Sequence, residues 1–376
     1  MNTHTLRQKF KEVYGRDAES LYFAPGRVNL IGEHIDYNGG RVFPCALSFG
    51  TYLLAAKRQD SRMAFTSLNM PYSTVKGKDA LERKSGEWTD YPLGVVKEFA
   101  DRGFEPWGYD LLYWGDIPNR AGLSSSASVE VVTAVLLNDL SGAGFDRIAE
   151  NDFVGMNCGI MDQFAVGMGR SGFAIALDCA TLDYELVPLH IDGYKLVIAN
   201  SNKHHDLVTS EYNTRRAQCE KALEILRQRY PVDALCALTP EQLEKAADLF
   251  SDEILYRRAR HAVTENARVN EAIQALRTGD LSRFGRLMNE SHHSLKEDYE
   301  VTGVEMDVLA EEAQGLDGVL GSRITGGGFG GCTVSLVRED AVDAFVRRLG
   351  EIYTGKVGLR AEFYVADIGD GARKIC

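Results

Sequence analysis

Four serines in the five residues Ser124 to Ser128 are more than one helix cap requires, because a single side-chain acceptor satisfies that position. They close the stretch Pro118-Asn119-Arg120-Ala121-Gly122-Leu123-Ser124-Ser125-Ser126-Ala127-Ser128, between a strand-like run, Tyr109 to Trp114, and the apolar Val129 to Leu140. The stretch reads as a strand, a small-residue loop and a helix. Gly122 lets the backbone approach a ligand, the serines offer donors, and the unpaired N–H groups of the helix start carry the positive end of its dipole. Phosphate is the guest that suits such a loop. The pattern is neither GxxxxGK[ST] nor GxGxxG, which excludes a P-loop and a Rossmann fingerprint.

A second stretch, Pro25 to Gly40, sets Arg27, Glu33, His34 and Asp36 among glycines between two apolar strands. Carboxylates that accept and an imidazole that donates or accepts suit the hydroxyls of a polyol. A metal site fits less well, since extended Glu33 and His34 face opposite sides and no histidine stands at i+4. Asp162 lies in an apolar, glycine-containing run with no lysine or arginine within seven residues on either side. A carboxylate so placed is partly desolvated, which makes it a candidate base or hydroxyl-orienting group. Glu150 reads equally as a metal ligand or a solvated helix face. Trp88 reads as a base-stacking aromatic or as core. Ile324 to Cys332 holds five glycines in six residues, permitting close approach of another backbone or a ligand.

The elements that must position these residues divide the chain. The strand-rich first half has a helix over Thr5 to Tyr14, strands at Leu21 to Ala24, Val42 to Leu47, Gly50 to Lys57 and Met63 to Ser67, and a helix over Tyr91 to Ala100. After further strands at Phe173 to Leu177, Tyr184 to Pro188 and Lys195 to Asn200, helices are expected at Thr209 to Tyr230, Pro240 to Phe250, Ile254 to Leu276 and Leu281 to Leu295. The β-α-β order after Ile324 points to a split α+β second domain. At 376 residues and 44% hydrophobic the chain suits two globular domains. A net charge of −12 argues against nucleic acid and anionic membrane as partners. Met1 to Lys11 lacks a signal-peptide core, and a cytoplasmic protein is expected. Seven scattered cysteines without a CxxC pair fit reduced thiols, assigned to packing, better than disulfides or zinc.

Together the three motifs resemble the galactokinases of the GHMP sugar and alcohol kinases. Gly26 to Tyr37 is similar to that family's sugar signature, Pro118 to Ser128 to its ATP loop, and Ile324 to Cys332 to its third motif. The resemblance continues through Glu150 to Phe164, through Ser210-Glu211-Tyr212 with Arg215, Arg216, Gln218 and Cys219, and through Ser291 to Tyr299, covering nearly the whole chain.

This resemblance implies an α+β, two-domain GHMP kinase fold. A mixed-sheet N-terminal domain over 1–165 would meet a ferredoxin-like C-terminal domain with added helices over 166–376, the last strand free to pack back on the first domain. The active site would lie in the cleft and move the γ-phosphoryl of ATP to the anomeric hydroxyl of galactose. By position, Asp162 would be the base or orienting group, with Arg27 stabilising charge. Glu33, His34, Asp36, Gly159 and Tyr212 would hold the sugar. Trp88 would lie near adenine, while Gly122, Leu123, Ser124, Ser125, Ser126 and Ser128 wrap the phosphates and Ser126 with Glu150 holds Mg²⁺. A monomer is compatible with the sequence. A kinase for N-acetylgalactosamine or another sugar, and a catalytically silent galactose and ATP sensor, remain as alternatives; Ser126-Ala127-Ser128 is complete, which favours the enzyme. In one respect the chain departs from the family: the helix usually leading into Ala149-Glu150-Asn151 is about ten residues shorter, which bears directly on Glu150.

Overall fold

Side-chain alternation along Ser20–Asn29 sets the first sheet, placing Leu21 on one face and Tyr22 on the other. Register pairs Leu21 with Leu54 and Leu54 with Leu112. These leucines bury together with Leu6 and Phe10 of the helix Thr3–Tyr14. On the opposite face Tyr22, Leu53 and Tyr113 pack on Val96 and Phe99 of the helix Asp90–Asp101 and on Val132 and Leu136 of the helix Ser125–Ser141. Each fully buried leucine contributes about 1.5–3 kcal/mol, so the helix layers hold the sheet from both sides.

This computed structural model describes residues 1–70, 72–82, 85–118, 122–142, 160–203 and 208–376. Its six-stranded sheet runs in the order Arg373–Lys374, Ser20–Asn29, Pro44–Lys57, Tyr109–Gly115, Met63–Ser67, Tyr72–Lys76. Met63–Ser67 is parallel to Tyr109–Gly115, and the helix Asp90–Asp101 lies in the crossover such a pair requires. A four-stranded antiparallel sheet follows the order Val319–Thr325, Cys332–Arg338, Tyr194–Asn200, Glu362–Ala366. Val197, Ala199 and Val337 on one face bury Leu309 of the helix Val304–Gln314 and Phe345 and Leu349 of the helix Val342–Val357. Leu196, Ile198 and Leu336 join the central core with Phe284 and Met288 of the helix Leu281–Ser294. Arg41–Val42, Phe173–Asp178 and Tyr184–Pro188 form a third sheet. The chain end returns to the first sheet, Arg373 and Lys374 pairing with Phe23 and Tyr22. Among the described residues no helix is long and apolar enough to cross a membrane.

The α+β architecture is the expected one, with two local differences. Val42 to Leu47 and Gly50 to Lys57, expected as separate strands, belong largely to one strand, Pro44–Lys57. It runs through because a Cβ at Gly50 would lie 2.0 Å from the carbonyl oxygen of Ala24, a contact only glycine avoids. There the partner strand shifts register between Pro25 and Arg27, a bulge that re-aims Arg27. The helix expected to reach Phe250 stops at Glu244, where the Arg229 guanidinium takes the Lys245 carbonyl and the Asp248 carboxylate.

Gly50→Ala forces backbone movement at this crossing and is expected to cost about 3 kcal/mol of unfolding free energy, measured by denaturant titration. A midpoint equal to the parent's would contradict the close approach.

Candidate active site

The bulge turns Arg27 into the cleft, where its side chain is 5% exposed and therefore needs a partner. Its Nε and Nη2 each lie 2.8 Å from Asp162 Oδ1, and its Nη1 donates to the Gly122 carbonyl at 2.6 Å. Ser124 donates its hydroxyl to Asp162 Oδ2 at 2.5 Å. Ser124 stands at the N-cap position of the helix Ser125–Ser141 with φ 60°, a conformation that non-glycine residues adopt rarely and that clusters at ligand sites, and its hydroxyl goes to Asp162 and not to the helix start. Asp162, in the first turn of Met161–Met168, keeps 31% of its side chain exposed. A carboxylate gripped by a cation and a hydroxyl, with an open edge, is built to align or accept a proton from a ligand hydroxyl.

Ser125 and Ser126 are exposed on the first helical turn, beyond buried Leu123. The first intrahelical bond runs from Ser128 N to Ser124 O at 2.9 Å, so the N–H groups ahead of it face the loop mouth. The Ser128 hydroxyl points the other way: it is buried and donates to the Ala24 carbonyl at 2.8 Å, tying helix to strand. Across the loop, a Cβ at Gly326 would lie 2.9 Å from the Gly122 oxygen, so glycine lets the two loops touch. Trp88 packs edge-on against Tyr113 at 5.3 Å, with its indole N–H buried and without a hydrogen-bond partner among the described residues.

On the sugar-signature side Glu33 is buried, its Oε1 accepting from Gly326 N at 2.7 Å and lying 3.6 Å from the wholly buried Arg323. His34, at φ 61°, contacts Tyr37 OH through Nδ1 at 2.8 Å and the Gly327 carbonyl through Nε2 at 3.2 Å. Burial pulls the imidazole down to about 3, so it is neutral. The Tyr212 ring lies 5.5 Å from that of His34. Asp36 is half-buried and pushed up to about 7, first by burial and then by the carboxylates of Asp162 and Glu33. The structure thus gathers Arg27, Glu33, His34, Asp36, Asp162, Tyr212 and the serine loop at one cleft. Glu150, Gly159 and the shortened connection beyond Gly142 lie outside the described residues.

Several supporting residues carry no local signal. Buried Glu265 accepts from Gly32 N at 2.9 Å and Ser291 Oγ at 2.6 Å; burial alone would raise it, but Arg268 and other cations hold it at about 2. Tyr37, adjacent to Asp36 in the polar turn, could have been singled out there; its partner Tyr299, 2.8 Å away, stands 262 residues on.

The galactokinase galactose-binding signature matches residues 8–57, and the N-terminal and C-terminal GHMP kinase domains match 90–170 and 272–355. The chain is 48% identical over 386 residues to the galactokinase of Clostridium beijerinckii, covering 100% of this chain and 99% of that one. The chain belongs to the galactokinase family. The Bacillus subtilis galactokinase is 46% identical over 98% of both chains. The crystal structure of the Lactococcus lactis galactokinase complexed with galactose superposes with a TM-score of 0.94 at 45% identity, covering 99% of each chain. A Methanococcus jannaschii mevalonate kinase, 17% identical with TM-score 0.64 over 93% of this chain and 98% of that one, shares the fold.

Because Asp36 sits above its ordinary 3.8, the folded galactokinase-family chain holds a proton that the unfolded chain releases, and this group's contribution to stability falls as pH rises from about 4 to about 7. Asp36→Asn, neutral throughout, is expected to flatten that decline in the sugar-free protein, read as thermal midpoint against pH. An unchanged slope would contradict the assignment.

Proposed function

We propose that the chain is an enzyme that transfers the γ-phosphoryl group of ATP to the anomeric hydroxyl of galactose, giving α-galactose 1-phosphate and ADP. The observation carrying this reading is the open edge of Asp162, held by Arg27 and Ser124 between the serine loop and the sugar signature. Phosphoryl transfer asks little covalent chemistry of a protein; positioning and charge neutralisation dominate.

In this reading the anomeric hydroxyl lies against Asp162, which takes its proton as the bond to phosphorus forms. Arg27 pairs with that carboxylate and balances charge at the transferring oxygen. His34, Asp36, Gly159 and Tyr212 hold the other hydroxyls, and Glu33 shapes their pocket while bracing Gly326. The phosphates lie along Gly122 to Ser126, drawn by the N–H groups and dipole of the first turn. Ser128 supports that turn from behind, and Trp88 sits beside the adenine.

Mg²⁺ fits the donor set, because a hard cation takes oxygen ligands and the Ser126 hydroxyl is exposed at the phosphate end of its helix. Ser126 and Glu150 would hold it, and it would neutralise phosphate charge that a protein of net charge −12 does not neutralise globally. Unpaired thiols such as Cys45, Cys219 and Cys332, with ATP as cosubstrate, support action in the cytoplasm.

Coupled ADP release is expected with galactose, with kcat/KM higher than for N-acetylgalactosamine; the reverse preference would overturn the substrate assignment. Asp162→Asn is expected to lower kcat by about 10²–10⁴-fold while calorimetry still shows ATP binding. Unchanged kcat would contradict the role given to Asp162.

A further inference from the structure

Behind His34 runs a line of buried polar contacts that the reaction as described does not use. Tyr37 OH is 2.8 Å from His34 Nδ1, Tyr299 OH is 2.8 Å from Tyr37 OH, and Cys219 Sγ is 3.0 Å from Tyr299 OH. At the other end His34 Nε2 meets the Gly327 carbonyl at 3.2 Å.

The direction of every proton in this line follows from that carbonyl. A carbonyl oxygen only accepts, so Nε2 carries the hydrogen. His34 is neutral in its buried setting, leaving Nδ1 a bare lone pair that must accept from Tyr37. Tyr37 has then spent its one proton, so Tyr299 donates to it, and the Cys219 thiol donates to Tyr299 in turn. Burial pushes the Cys219 thiol up, which keeps it protonated and able to head the line. Asn38 closes the arrangement: its amide donates to the His34 carbonyl at 2.8 Å and its side chain also reaches Cys219.

The backbone bearing Tyr299 is itself clamped. The helix Leu281–Ser294 does not stop at Leu295 but widens into a π turn over Leu295–Tyr299, and Glu300 then adopts φ 55°. Arg258 donates to the Asp298 carbonyl at 2.6 Å, while Arg215 donates to the Tyr299 and Glu300 carbonyls, both at 2.8 Å. Such π turns recur at functional sites. Here the widened turn delivers the Tyr299 hydroxyl to Tyr37, and the Tyr299 ring lies 4.9 Å from the His34 ring.

We propose that Cys219, Tyr299 and Tyr37 form a one-way hydrogen-bond chain fixing the tautomer of His34, so that its Nε2–H is offered to a galactose hydroxyl. Cys219 and Tyr299 are then positioning residues for the sugar, acting through Tyr37 and His34. The Gly327 carbonyl, at the long end of hydrogen-bond range, holds the same N–H until the sugar arrives. The proposal rests on His34 as a sugar ligand.

Steady-state kinetics on the full chain test it. Tyr299→Phe removes the central hydroxyl and is expected to raise galactose KM about tenfold, the equivalent of one buried hydrogen bond, with kcat and ATP KM unchanged. Cys219→Ala is expected to raise galactose KM by about threefold, and Cys219→Ser, which restores a donor, to return it to the parent value. Nitrogen-15 NMR of His34 is expected to show the Nε2–H tautomer in the parent and a mixture in Tyr299→Phe. An unchanged galactose KM in Tyr299→Phe, or Cys219→Ser behaving as Cys219→Ala does, overturns the chain. His34→Ala separates the two levels: if it leaves galactose affinity intact, the sugar-ligand reading and the proposal fall together. If it lowers affinity while Tyr299→Phe changes nothing, the chain alone falls.

Discussion

A buried arginine must be answered by charge and by hydrogen bonds, and in this protein the answer to Arg27 organises the cleft. A guanidinium left unpaired in such a setting costs several kcal/mol, about 3–5 on removal of its partner. Arg27's three partner groups come from two other segments: the carboxylate of Asp162 from one, and from the serine loop the carbonyl of Gly122 and, through the Arg27 backbone N–H, the carbonyl of Leu123 at 3.2 Å. Satisfying Arg27 therefore fixes the strand Ser20–Asn29, the serine loop and the helix Met161–Met168 relative to one another. The same contacts leave Asp162 with an open edge, so the atoms that satisfy the buried arginine are also those assigned to the proposed chemistry.

The third glycine motif extends this logic without contributing a reactive side chain. Gly326 is held by Glu33 and touches Gly122, and Phe329 N donates to the Val301 carbonyl at 2.6 Å. Glu33 thus links the sugar signature to the loop that grips Arg27. Val301 lies two residues beyond the π turn that ends at Tyr299, so the sugar-signature turn and the serine loop are supported by one connected set of backbone contacts.

Patterns with a local period were legible in the sequence. The apolar run Leu21 to Ala24 marked the first strand, and the crowded serines marked a loop opening a helix. The polar side chains of the cleft stood out because Arg27, Glu33, His34 and Asp36 interrupt apolar, glycine-rich surroundings. What escaped was long-range or geometric. Nothing near Glu265 or Tyr299 announces a partner more than two hundred residues away. The inward turn of Ser128 depends on where Ala24 lies, and the continuity of Pro44–Lys57 depends on a bulge in its neighbour. A π turn and a regular helix share the same side-chain pattern until a clamp such as Arg215 and Arg258 chooses between them.

The proposed transfer requires Asp162 and Arg27 to meet the anomeric oxygen at the mouth of the serine loop. A crystal structure of this chain with galactose and a non-hydrolysable ATP analogue measures that directly. Galactose O1 is expected within hydrogen-bond distance of the Asp162 carboxylate, about 2.6–3.2 Å, with the terminal phosphate on its far side. A different hydroxyl at Asp162, or a sugar held away from both Asp162 and Arg27, would contradict it.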